Sequence, residues 1–230
     1  MSYTTEHAHV LRNRIIEVLT NNSTITKLRK FSQDGNEFAS VIADGLESEF
    51  ETICDDMSNI SLFDEEHWSI NTDGSVKLVS ENDFNGLPPE NRFSKSGCMR
   101  KVPNEALGIR AVVSALKSQE VSSAISEALG ESVSWKSSDI ARYHHGSYLR
   151  AHSDTFEDRR IGLVFFANTG WNPGFGGELV VTSPSGITKV VAPIGGRIAA
   201  IRIRDGYTHQ VAEMLDSSWN RLSIANHFAV

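Results

Sequence analysis

Cysteine is almost missing from this chain. Cys54 and Cys98 are the two present in 230 residues; that excludes a disulfide scaffold, and two thiols alone do not hold a structural zinc. Positive charge is also short, with 22 Lys and Arg against 29 Asp and Glu and a net charge of −7. Neither nucleic acid nor an anionic membrane is therefore expected as a partner. Long apolar runs are missing too: the longest, Ile161 to Ala167, falls far short of the ~20 residues of a membrane helix. Met1 to Val10 carries Glu6, His7 and His9 and has no apolar segment, so no secretory leader is expected. A cytoplasmic protein with reduced thiols is the reading these absences favour. They leave the oligomeric state unknown.

What is present is ordinary globular composition, 40% hydrophobic and 22% charged, which excludes a disordered tail, a coiled coil and a collagen-like fibre. A chain of this length buries roughly 70% of its unfolded surface and needs no staples. Its character changes near residue 135. Before that, Val10, Leu11, Ile15, Val18 and Leu19 follow a helical period, and Asn21 to Thr26 reads as a break. Phe38 to Met57 offers Val41, Ile42, Leu46, Phe50 and Ile53, again helical but interrupted by Gly45. Asn71 to Gly74 and Asn85 to Pro89 read as turns. Two further helical runs end at Leu116 and Leu129, the second stopped by Gly130.

After Trp135 the pattern is β. Short apolar runs recur at Ile140–Tyr143, Ile161–Ala167, Glu178–Thr182, Lys189–Ala192, Arg197–Ile203, Tyr207–Ala212 and Arg221–Phe228. Gly, Pro, Asn and Asp separate them, the signature of a sandwich or jelly roll. The expectation is one α+β domain over 1–230, with a mostly helical 1–135 packed on a β-rich core at 136–230.

Two constellations carry chemistry. In an extended chain His152 and Asp154 point the same way. His209, in the penultimate run, would supply a third ligand, and two histidines with one carboxylate suit non-haem Fe(II) with positions left open. An isolated His-x-Asp is also a common surface pair, and His144, His145 and His227 are further ligands or merely polar strand residues. The second constellation is Arg221-x-Ser223 in the last run, a guanidinium fork and a hydroxyl on one face, suited to a carboxylate.

With both in view, the stretch from about Ala141 to Val230 resembles the iron(II)- and 2-oxoglutarate-dependent dioxygenases, in their prolyl-hydroxylase-like branch. Tyr143-His-His-Gly-Ser-Tyr-Leu-Arg-Ala-His152-Ser-Asp154 resembles the approach to the first ligands. Arg159 to Asn168, Trp171 with Gly176-Gly177-Glu178-Leu179, Pro193 to Ile203, His209 and Arg221-Leu-Ser223 follow in the family's order. The resemblance implies a double-stranded β-helix, or jelly roll, holding iron on His152, Asp154 and His209. It implies 2-oxoglutarate on Arg221, Ser223 and Tyr143, O2 as the oxidant, and ascorbate as a reductant. The family often has a Tyr two residues before the Asn; Phe166 stands there instead. Asp154 occupies the place that related halogenases leave to a small residue, so oxygen rather than chlorine transfer is implied.

The implied reaction hydroxylates an unactivated C–H bond and releases succinate and CO2. Two rivals remain: a non-catalytic jelly-roll binding module and a zinc hydrolase. For the substrate, a small polar metabolite or free amino acid is expected over a protein. The chain shows no peptide-docking module, and Arg159 or Arg160 could hold a substrate carboxylate at the pocket mouth. Peptidyl-proline hydroxylation is the alternative. Trp135, Trp171 and Trp219 read as core or pocket walls, and Gly176-Gly177 as a tight turn into a strand.

Overall fold

The structure is a computed structural model that describes residues 4–58 and 62–230. It opens with α1 (Thr5–Thr20), which buries Leu11, Ile15, Val18 and Leu19 as one stripe and is capped by a reciprocal Thr4–His7 box. α2 (Asn22–Gln33) follows at once, because the Asn21 side chain accepts from the Thr24 amide at 2.8 Å. The break expected at Asn21 to Thr26 is therefore a cap between two helices. The long helix expected over Phe38 to Met57 is instead β1 (Ala39–Ala43) and α3 (Glu47–Ser58), divided at Gly45 with φ 73°.

Next come β2 (Asp64–Ile70), β3 (Val76–Val79), α4 (Glu81–Gly86) and β4 (Arg92–Cys98). α5 (Leu107–Leu116) and α6 (Gln119–Leu129) complete the helices, α6 ending on left-handed Gly130. The first turn of α5 has no cap of its own. Asp56 on α3 supplies one, its Oδ2 accepting from the Ile109 amide at 3.0 Å. The first 135 residues supply α1 to α6 and also contribute β1 to β4 to the sheet.

The remaining strands are β5 (Ser134–Tyr143), β6 (Tyr148–His152), β7 (Arg159–Phe166), β8 (Leu179–Thr182), β9 (Thr188–Val191), β10 (Arg197–Arg202), β11 (Thr208–Val211) and β12 (Arg221–Ala229). They follow the antiparallel order β1-β10-β7-β12-β5-β4-β6-β11-β8-β9, with β2 paired to β3 and β4. β4 changes partner along its length, pairing with β5 through Gly97 and Cys98 and with β6 through Ser94 and Lys95, while β2 pairs with it as well. The path therefore folds into two facing layers, a jelly roll.

Period-two alternation divides the core. On β7 and β10, Leu163, Phe165, Ile198 and Ala200 face the helices, where Phe165 stacks on Phe50 at 5.6 Å. Val164, Phe166, Ala199 and Ile201 face inward, with Leu179 and Val181 of the opposite layer. Among the described residues no helix is long and apolar enough to cross a membrane.

Candidate active site

β6 and β11 are antiparallel neighbours, and their register sets His209 directly opposite His152. The two rings lie 4.2 Å apart, centroid to centroid. His152 Nδ1 sits 2.9 Å from the Arg150 carbonyl oxygen. A carbonyl can only accept, so Nδ1 carries the proton and Nε2 keeps its lone pair. Asp154 lies just past the end of β6. Its Oδ1 is 3.5 Å from His152 Nε2 and its Oδ2 is 3.3 Å from His209 Nε2.

Ligand atoms from these three residues all fall within 4.8 Å of one another. Burial, reinforced by His209, pushes His152 down to about 4, so the ring is neutral near pH 7. Burial would raise Asp154, but hydrogen bonds from His209 and His227 outweigh it and hold the carboxyl well below the usual carboxylate range. Two imidazoles and one carboxylate at the wall of a cavity form a donor set that fits Fe(II) with positions to spare.

The cavity encloses about 750 Å3, and His152, Asp154, His209, Tyr143, Arg221 and Ser223 all line it. Arg221 is 2% exposed, yet its Nε and Nη1 have no hydrogen-bond partner. Its guanidinium lies between two rings, 5.1 Å from Tyr143 and 5.3 Å from Phe166. Phe166 thus stacks on the cation without offering a hydroxyl. Burial pushes Arg221 down to about 10 and the Tyr143 phenol up to about 12, so at neutral pH a charged fork faces a neutral phenol. A buried cation with unpaired N–H groups calls for an anionic partner. The chemistry of 2-oxoglutarate, with a carboxylate at each end, matches a metal site and a guanidinium in one cavity.

The surrounding loops keep that fork in place. Asn168 Oδ1 accepts from the Leu222 amide at 3.1 Å, and its Nδ2 donates to the Asn220 carbonyl. Gly176 and Gly177 adopt φ 77° and 76°, and a Cβ on Gly176 would lie 1.9 Å from the Glu213 carbonyl oxygen. Trp171 and Trp219 donate to the Gly176 and Thr169 carbonyls at 2.9 and 2.7 Å, and wall the loop that passes over Arg221.

The two arginines considered for substrate part company. Arg159 is buried and lines the cavity, with Nη1 3.6 Å from Asp154 Oδ2 and the guanidinium 4.0 Å above the Phe156 ring. Arg160, one residue on, points the other way and pairs with Glu131 at 3.4 Å. Sequence reasoning missed the far wall, where β2 and β4 contribute Glu66, Trp68, Phe93 and Ser96. These strands alternate polar and apolar residues too irregularly to read as strands. His227, left undecided in sequence, is 3% exposed and stands 3.1 Å from Asp154 Oδ2.

Residues 138–229 match the sequence model of the 2OG-Fe(II) oxygenase superfamily. The mouse protein prolyl 3-hydroxylase OGFOD1 is 29% identical over 94 residues, a stretch covering 38% of this chain and 17% of that protein. A Pseudomonas putida prolyl-4-hydroxylase structure superposes with TM-score 0.58 at 20% identity, covering 88% of this chain and 98% of the other. A prolyl hydroxylase from Trichoplax adhaerens, in complex with a hypoxia inducible factor oxygen degradation domain peptide fragment, gives TM-score 0.62 at 16% identity, covering 93% and 95%. These relatives overturn the preference for a small polar metabolite or free amino acid as substrate: they are named as prolyl hydroxylases, and one is seen with a peptide. That preference rested on finding no peptide-docking module and on Arg159 or Arg160 as a carboxylate holder, but the cavity wall from β2 and β4 carried no recognisable pattern, and Arg160 pairs with Glu131. Over residues 138–229 the chain is thus similar in sequence to the 2OG-Fe(II) oxygenase superfamily, whose members use Fe(II), 2-oxoglutarate and O2, and its fold is that of the solved prolyl hydroxylases.

Proposed function

We propose that this chain is an Fe(II)- and 2-oxoglutarate-dependent hydroxylase acting on proline within a peptide. The observation that carries the reading is the buried, partly unpartnered Arg221 guanidinium in the same cavity as His152, Asp154 and His209. A zinc hydrolase has no use for that fork, and a non-catalytic jelly roll has no use for the triad.

When bound, iron supplies the oxidising chemistry that turns a C–H bond into an alcohol while 2-oxoglutarate becomes succinate and CO2. The chain's own residues hold and orient. His152, Asp154 and His209 would hold the metal. Arg221 and Ser223, side by side on one face of β12, would bind the distal carboxylate of 2-oxoglutarate, with Tyr143 backing the guanidinium. Apolar side chains including Val164, Leu179 and Ile201 line the inner wall and exclude water from the reacting centre.

A peptide fits the other side of the cavity. Phe156 is 54% exposed and Val76 45%, and both line it, next to Trp68 and Phe93. Exposed apolar side chains around a cavity are the kind of surface a peptide covers. Arg159 is already engaged with Asp154, Ser137 and Phe156, so a free carboxylate would have to compete for it.

The test is turnover of proline-containing peptides beside free proline and other free amino acids. Mass spectrometry would follow addition of one oxygen, and succinate would be measured in parallel. Peptide hydroxylation with matching succinate release is the expected result. Succinate coupled to a free amino acid and to no peptide would contradict the assignment.

A further inference from the structure

His227 occupies a strand position where its neighbours Leu222, Ile224 and Phe228 are apolar and buried. Its cross-strand partners explain how an imidazole fits. On one side it faces Gly162 of β7, which has no side chain to fill the space; on the other it faces Ser137 of β5. The ring therefore reaches the cavity wall, with Nε2 3.1 Å from Asp154 Oδ2 and Nδ1 3.3 Å from Ser137 Oγ.

The direction of these hydrogen bonds follows from a donor inventory. Arg159 Nη2 lies 3.2 Å from Ser137 Oγ, and a guanidinium only donates. Ser137 accepts from Arg159, which leaves its own proton free for His227 Nδ1. Nδ1 is then an acceptor, so the ring proton resides on Nε2, facing the carboxylate. Asp139 Oδ2 is 3.5 Å from Nδ1, but it is solvent-exposed and farther than Ser137. The opposite tautomer would set an Nε2 lone pair against a carboxylate oxygen at 3.1 Å, which is repulsive.

Resting on the oxygenase reading above, we infer that His227 is a positioning residue. Its Nε2–H donates to Asp154 Oδ2 and holds the carboxylate turned toward His152 and His209, while the Arg159–Ser137 relay fixes the tautomer. A partner that orients a metal-binding carboxylate is typically worth 10–100-fold in metal affinity.

The experiment uses Mn(II) alone as the probe, its binding read from loss of the free-ion EPR signal, with wild type, His227→Gln and His227→Leu. Gln can place an amide donor where Nε2 stands; Leu fills the space without one. Affinity should fall about 10-fold or more in His227→Leu and recover in His227→Gln. Equal affinity in all three, or an equal loss in both variants, would assign His227 to packing and overturn the inference. Should His227→Leu fail to fold, the histidine ring 15N NMR of wild-type protein without metal decides. An Nε2-protonated His227 that changes tautomer population in Ser137→Ala upholds it; an Nε2 without a proton overturns it. Wild type that binds neither Mn(II) nor Fe(II) would sink the oxygenase reading itself, a different outcome from wild-type binding unaltered in His227→Leu.

Discussion

Tyr143 and Arg221 are register partners across β5 and β12, and the guanidinium lies 5.1 Å from the centre of the phenol ring. Phe166 closes the other face at 5.3 Å. The cation is fixed in position by two rings before any anion reaches it, which lowers the ordering cost of binding one.

Arg221→Leu should therefore raise the KM for 2-oxoglutarate far more than it lowers kcat. Losing one partner of a buried charge pair costs about 2–5 kcal/mol, at least ~30-fold in affinity. Arg150→Leu is the control, because Arg150 is bonded to the Pro89 and Glu90 carbonyls. Steady-state kinetics in 2-oxoglutarate check it; an unchanged KM moves the anchor elsewhere.

The glycine pair over the site makes a sharper steric prediction. Gly176→Ala would place a Cβ 1.9 Å from the Glu213 carbonyl oxygen at φ 77°. The loss should exceed ~1 kcal/mol, a fall in Tm of about 2–4 °C or more. Gly35→Ala, where nothing lies within 4 Å, should leave Tm unchanged.

α5 depends on a cap borrowed from α3. Asp56→Ala removes the acceptor for the Ile109 amide and should destabilise by ~1 kcal/mol. Asp56→Asn keeps an acceptor and should recover most of it. Urea unfolding of the two variants tests this.

Glu66 sets an acid-side dependence. Burial acts to raise its carboxyl, but hydrogen bonds from Arg100 and Trp68 outweigh it and leave the group below its ordinary 4.5. A depressed carboxyl means that the unfolded chain takes up the proton first as pH falls. The stabilisation is complete above about 4.5 and is lost as pH drops through the lower folded value. The gap in unfolding midpoint between wild type and Glu66→Gln should hold from pH 7 to 5 and shrink below. A gap that widens toward acid would reverse the sign.

Much of the site was legible because its chemistry is local. His152 and Asp154 are two residues apart, Arg221 and Ser223 share a strand face, and apolar runs bounded by glycine and proline marked most C-terminal strands. The N-terminal half was harder for physical reasons. Val41, Ile42, Leu46 and Phe50 fit a helical period by chance, although β1 is a strand paired with β10. Asn21 looks like a turn residue because it is a cap. β2 and β4 wall a cavity, and Glu66, Ser69, Ser94 and Ser96 are buried where a core strand would carry aliphatic side chains. His227 had a signal, a polar residue within an apolar final strand, but its partner Asp154 comes close only through folding.

The most direct test of the whole account is succinate production from 2-oxoglutarate in the presence of a proline-containing peptide, with Fe(II) supplied or withheld. Wild type should form succinate only with Fe(II), and His209→Ala, which loses one of the three candidate ligands, should form none while keeping a native unfolding transition. Succinate formation by His209→Ala at the wild-type rate would contradict the metal site on which everything else is built.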